Sequence, residues 1–288
     1  MPIEPIDLRK LKVLPLSKRH SLTTVDQILI DPDSATKPCN DRITAQIGEC
    51  ADRIRDARKR GASVMLIYGA HLLRNGAARI LERMMANDWL THLATNGAGT
   101  IHDWEYAWYG ASTESVEMNV KDGTFGTWHE TASNIHLAIM AGGLDGLGYG
   151  RSLGRMICED GVTIPSADEL RKLIAQSPDH PLTSARADLL RAIVEQGWPA
   201  GRITIDHQWK HASIIAQAWK HQIPVTVHPG IGYDIISNHS IFSGSAIGRG
   251  AEWDFKLFGG SVEGLDGGVV LSVGSAIMGP QVFEKSAS

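Results

Sequence analysis

Residues 64–105 read VMLIYGAHLLRNGAARILERMMANDWLTHLATNGAGTIHDWE, and their order decides the fold. The run from Ser63 to His71 is short, apolar and broken by Gly69, the pattern of a strand buried on both faces. Residues 75–88, NGAARILERMMAND, place apolar side chains at helical spacing, and residues 89–95, WLTHLAT, are apolar again before a second small-residue turn, NGAG. Upstream, residues 41–60 have the same helical spacing and Gly61 follows as a stop. Helix, strand, helix and strand in close succession predict an α/β fold. The right-handed crossover rule then makes the sheet parallel.

Outside this block the rhythm changes. Residues 1–40 look irregular, with DPDSATKP as a loop. Residues 111–200 read as mostly helical, including IPSADELRKLIAQ behind Pro165 and Ser166, and TSARADLLRAIVEQG closing on Gly197. From residue 201 the α/β alternation returns. RITI (202–205) reads as a strand, HQWKHASIIAQAWKHQ (207–222) as a helix and IPVTVHPG (223–230) as a strand; GGVVLSVGSAIMGPQVF reads as strand, turn and helix. No repeat or linker divides the chain, so residues 1–288 are expected to form one domain with a helical insertion at about 111–200.

Bulk composition narrows the function classes. Hydrophobic residues are 43% and charged residues 21% of the 288, ordinary for a globular protein. The net charge of −4 gives no global attraction to nucleic acid or anionic lipid. Three cysteines without a C-x-x-C spacing fit free thiols in a reducing compartment. No apolar run approaches a membrane span and the N-terminus has no signal-like core, so the expectation is cytoplasmic.

The 30 glycines cluster where strands end. Four expected strands finish in YGAH (68–71), TNGAG (95–99), HPGIG (228–232) and VGSA (273–276). In an open parallel sheet, ligands bind outside the carboxyl ends of the strands. Small residues there let a phosphate approach the backbone. GLDGLGYG (143–150) follows an apparent helix and reads as a loop.

These residues also resemble a known family. The 64–105 block resembles the first βαβ region of the deoxyhypusine synthases. VVLSVGSAIMGPQVF resembles that family's closing strand, and SGSAIGRGAEWDFK its active-site segment. The resemblance implies a Rossmann-like parallel sheet flanked by helices, an NAD cofactor and a homotetramer. It implies NAD contacts at Gly69, Ala70 and His71; at Thr95, Asn96, Gly97 and Ala98; and at Gly274, Ser275 and Ala276. Family enzymes oxidise spermidine and move its aminobutyl group through a lysine imine. Here two family glutamates fall on Ile101 and His102, leaving Asp103, and an aspartate-rich stretch becomes Ser243, Gly244, Ser245 and Ala246. A polyamine needs such carboxylates to balance its buried charge. Lys256, the candidate imine lysine, stands three residues after Trp253, one step beyond the family spacing.

Other titratable groups extend the candidate site. His102, Asp103 and Glu105 follow the second glycine turn, and a histidine there suits acid–base work. Asp234 and His239 lie on the loop after the VTV strand and are the next candidates. His129, His228 and Trp253 are candidate substrate contacts. His207 and His211 have i, i+4 spacing on an expected exposed helix face, but no third ligand accompanies them, so no metal is expected. The resulting expectation is an NAD-binding, deoxyhypusine synthase-like enzyme. It would oxidise, or transfer an alkyl group from, a small amine or alcohol. A non-catalytic nucleotide-binding protein and a metal-dependent hydrolase or isomerase remain alternatives.

Overall fold

The structure is a computed structural model that describes residues 3–287; the first two residues of the expected irregular segment lie outside the described residues. Four parallel strands form the central sheet: β1 (Val64–Tyr68), β2 (His92–Thr95), β3 (Val225–Val227) and β4 (Val269–Val273). Their spatial order is β3-β2-β1-β4, with Met65 opposite His92 and Val270, and Leu93 opposite Val225. β1 is buried at every position because side chains from both faces meet helices. Val64, Leu66 and Tyr68 join the main core, whereas Met65 and Ile67 join a small second cluster with Ala94 and Phe258.

The helices that position the edge of the sheet follow from local capping. α1 (Asp41–Lys59) starts where the Asn40 side chain accepts from Ile43 N, and buries only Ile54 and Ala57 of its far end. α2 (Ala70–Arg74) and α3 (Ala78–Ala86) connect β1 to β2. α4 (Gly97–Tyr109) is capped by the Asn96 side chain on Gly99 N and ends at Gly110, which takes the left-handed conformation at φ 69°. It runs through the core and buries Trp104 and Tyr106. α5 (His129–Gly143) and α6 (Tyr149–Cys158) pack together and share the main core. α7 (Ile214–Lys220), α8 (Gly244–Glu263) and α9 (Met278–Ser286) complete the covering of the sheet.

Three expectations are corrected. RITI is a strand, but it lies outside the parallel sheet, and the segment 111–200 is not helical throughout. The strand Gly201–Thr204 pairs antiparallel with Gly161–Ile164, a strand inside the segment read as helical, and the two make a separate ribbon. The stretch 207–222 is not one helix. A single 3-10 turn (Lys210–Ala212) precedes α7, because Ser213 caps a new helix by accepting from Ala216 N. His207 and His211 therefore share no helix face, and His207 is buried against Trp104 rather than exposed. GLDGLGYG is a loop only to Gly148; Tyr149 opens α6.

Three buried aspartates tie these helices together, each seated at the N-terminus of a helix elsewhere in the chain. Asp103 accepts from Ile214 N (2.7 Å) and Ser213 Oγ at the start of α7. Asp254 accepts from Gly150 N (2.9 Å) and from Val227 N (2.8 Å), joining α8 to α6 and β3. Asp234 lies over the first residue of α4. A carboxylate is favoured at a helix N-terminus. Burial still dominates and raises Asp103 and Asp254 to about 7 and Asp234 to about 6.

Candidate active site

All four glycine-bearing turns lie on one edge, because all four strands are parallel. The strand order reverses between β1 and β4, the place where open α/β sheets bind ligands. There the backbone turns touch: Gly69 N donates to Val273 O at 3.1 Å, and a Cβ on Gly69 would stand 2.1 Å from Gly274 O. Only glycine fits that approach. Beside it Gly274 (φ 67°), Ala276 and Ile277 are exposed. The N–H groups of Ala276 and Ile277 find no acceptor among the described residues. Ser275 is buried and its Oγ accepts from Gly279 N. Ala70 and His71 begin α2 on the same side.

The turn after β2 is different. Thr95 is buried, with its hydroxyl donating to Tyr68 O at 2.9 Å, and Asn96 is committed to its own helix. A Cβ on Gly97 would stand 2.0 Å from the Asp234 carboxylate. Asp234 itself accepts from Gly230 N at 2.8 Å. The anion seat at the head of α4 is thus held by the chain's own acid. The donor set fits a nucleotide phosphate at the free N–H groups of Ala276 and Ile277, beside the close turn of Gly69 on Gly274, and does not fit one at Thr95, Asn96 and Gly97.

A cavity of about 250 Å³ opens beside that turn, between α4, the 110–126 segment and the 233–235 loop. Ala98, Ile101, Val116, Phe125 and Ile235 give it apolar walls; Arg19, Arg74, His102, Glu105, Thr113, Glu114, Tyr233 and Asp234 bring polar groups. At its floor Glu105 is buried and holds Arg19 by two hydrogen bonds, at 2.7 and 2.9 Å. The same carboxylate accepts from Ser112 Oγ (2.5 Å) and Thr131 Oγ1 (2.9 Å). Ser112 has one hydroxyl proton and gives it to Glu105, so its oxygen accepts from His102 Nδ1 at 2.7 Å. That fixes the His102 tautomer, assigned here from the hydrogen-bond pattern, with Nδ1 protonated and Nε2 carrying a lone pair. Nε2 has no hydrogen-bond partner among the described residues. Burial, opposed by Glu105, pushes the imidazole down to about 4, so it is neutral near pH 7.

The wall carries one strained residue. Thr113 has φ 67°, a region a β-branched side chain rarely enters, and is held by Thr23 Oγ1 (3.1 Å) and by Leu22 N donating to its carbonyl (3.1 Å). Strain of this kind concentrates at functional sites. The short pairing of Thr23–Thr24 with Ala111–Ser112 sets Ser112 and Thr113 in place.

Not every sequence candidate reaches this cavity. Asp103 is buried under α7 and acts on that helix. Lys256 is exposed on α8 and pairs with Glu252 at 2.6 Å, one turn away along the same helix. Trp253, 51% exposed, stands on that helix too, away from the cavity. His228 packs edge-on against Phe258, bonds Thr226 Oγ1 at 3.2 Å and is lowered to about 4 by burial. His239 is buried and takes Ile241 N on Nδ1, so its Nε2–H donates to Nδ1 of exposed His129 at 3.0 Å. Neither lines the cavity. Among the described residues, no three His, Cys, Asp or Glu side chains converge to hold a metal ion, and no helix is long and apolar enough to cross a membrane. Sequence reading missed Arg19, Arg74, Ser112 and Thr113; the sharp turn after Gly110 was the available signal for the last two.

No protein-family model matches the sequence, and no curated protein matches it. Some solved structures are similar at low identity. ArgZ, an arginine dihydrolase from cyanobacteria, is 13% identical with a TM-score of 0.43 over 88% of this chain and 26% of ArgZ. AgrE, solved with ornithine and NAD+, is 14% identical with a TM-score of 0.43 over 88% of this chain and 28% of AgrE. A conserved LOR/SDH protein from Methanococcus maripaludis S2 is 15% identical with a TM-score of 0.35 over 91% and 58%. The present chain thus spans little more than a quarter of ArgZ or AgrE.

Proposed function

We propose that the protein is an NAD-linked oxidoreductase for a small amine or alcohol, with His102 as proton acceptor. The observation that carries this reading is one shared edge. The strand-order reversal lies at the carboxyl ends of the parallel strands, and the cavity that holds the Glu105–Ser112–His102 relay is lined by Ala98 and Asp234 from the segments that follow β2 and β3. The resemblance to deoxyhypusine synthases supports the same cofactor. Bound NAD would supply the acceptor for a hydride leaving the substrate carbon. This chain's residues supply the rest. Ala276 and Ile277 offer backbone N–H groups to a pyrophosphate, and Gly69 and Gly274 bring the two turns together beside them. Glu105, paired with Arg19, orients Ser112, Ser112 anchors His102 Nδ1, and Nε2 takes the proton from the substrate hydroxyl or amine. Ile101, Phe125 and Ile235 limit water around the reacting carbon. Alkyl transfer through an imine has no place here, since Lys256 stands outside the cavity. A cytoplasmic homotetramer belongs to the same proposal, by resemblance, and light scattering tests the assembly.

The reaction is tested by following reduced nicotinamide fluorescence with a panel of small alcohols and amines. Turnover should fall about a hundredfold or more in His102→Gln, with NAD affinity unchanged. Full turnover in that variant would remove His102 from the chemistry. NAD binding without reduction by any substrate would leave a nucleotide-binding protein.

A further inference from the structure

The charges lining the cavity specify its ligand more closely. Glu105 is neutralised by Arg19 and engaged by two hydroxyls, so that pair offers a ligand nothing further. Arg74, on the last turn of α2, also lines the cavity and has no hydrogen-bond or ion-pair partner among the described residues. Its charge is felt at His102. Glu114 accepts from Trp128 Nε1 (2.9 Å), Asn119 Nδ2 (2.5 Å) and Gly126 N (3.3 Å), all neutral donors, so its negative charge is uncompensated. Asp234 spends one oxygen on Gly230 N and faces no cation among the described residues. The cavity therefore pairs one free cation with two acids that face no cation among the described residues.

We infer that the ligand of this cavity is a short amino acid bound as its zwitterion, with its carboxylate on Arg74 and its ammonium toward Glu114 and Asp234. A guanidinium matches a carboxylate by paired hydrogen bonds. A phosphate dianion would meet one free cation and two acids, which opposes it. A simple amine would leave Arg74 unanswered. The volume of about 250 Å³ and the walls of Ile101, Phe125 and Ile235 admit a side chain of a few carbons. This assignment rests on the proposed role of the cavity but not on the cofactor.

Calorimetric titration of the full chain, with and without saturating NAD, tests it. The probes are 2-aminobutyrate, 2-hydroxybutyrate, butan-2-amine and methyl phosphate. 2-Aminobutyrate should bind best of the four. Arg74→Gln should weaken it about tenfold or more, and Arg74→Lys should restore part of that loss. Arg74 is exposed and unpartnered, so both variants should fold as the parent does. The inference is overturned if 2-aminobutyrate fails to bind under both conditions, or binds Arg74→Gln as well as the parent. It is also overturned if methyl phosphate, the amine or the hydroxy acid binds as tightly. Loss of NAD binding or hydride transfer alone would strike the oxidoreductase reading and leave this one standing.

Discussion

Replacing Glu105 with glutamine puts the floor of the cavity under test. The wild-type carboxylate receives four donors: two from Arg19, one from Ser112 and one from Thr131. Both members of the ion pair are shielded from solvent, with side-chain exposures of 1% and 0%. Glutamine keeps one acceptor oxygen and turns an NH2 group toward donors that need an acceptor. Arg19 then keeps a buried charge without its counterion. Breaking a buried pair from one side costs about 3–5 kcal/mol. Urea unfolding should therefore show a large fall in midpoint for Glu105→Gln. A double variant, Arg19→Met with Glu105→Gln, should lose less than the sum of the two single variants, because the orphaned charge is gone. The same change unseats Ser112 and with it His102 Nδ1, so ring NMR of His102 should report a mixed tautomer. A loss of unfolding free energy of less than about 1 kcal/mol, or additive single variants, would refute the claim that this pair is desolvated and mutually dependent.

Further outcomes follow from the buried acids and the close turns. Asp254 is raised by burial from 3.8 to about 7, so between those values the folded state holds a proton that the unfolded state has released. Its contribution thus lowers stability as pH rises through that window. Asp254→Asn keeps an acceptor for Gly150 N and Val227 N, and should flatten the fall in urea midpoint between pH 5 and 8 relative to the parent; an unchanged slope would contradict the shift. Gly69→Ala places a Cβ 2.1 Å from Gly274 O and should cost more than about 1 kcal/mol in thermal or urea unfolding. Gly48→Ala, mid-helix with nothing within 4 Å, should stabilise by about 0.5–1 kcal/mol in the same assay. Lys256→Ala should leave turnover unchanged, because the lysine stands outside the cavity.

The central sheet was legible because its signals are local. VMLIY is apolar throughout, as a strand covered on both faces must be, and a glycine follows the end of each strand within three residues. Four such stops on parallel strands then had to share an edge. What was not legible depends on partners distant in sequence. Asp103 and Glu105 are two residues apart on α4 and look equivalent in sequence. One is drawn under α7 by Ser213, and the other meets Arg19 from the N-terminal segment. The break at Ser213 was hidden because residues 207–222 hold apolar residues at helical spacing on both sides of it. Thr113 gives no sign in its residue type that it adopts a left-handed backbone. Lys256 stood near a familiar tryptophan, yet helical geometry turns it onto the surface beside Glu252.

The most direct test of the account is calorimetric titration of nucleotide-free protein with NAD, in the parent chain and in Ala276→Asp. Ala276 is exposed beside the crevice between β1 and β4, so an added carboxylate should repel a pyrophosphate without disturbing the fold. The account predicts one-site micromolar binding that is lost in the variant. Absence of binding by folded, nucleotide-free parent protein, or equal binding by Ala276→Asp, would contradict it.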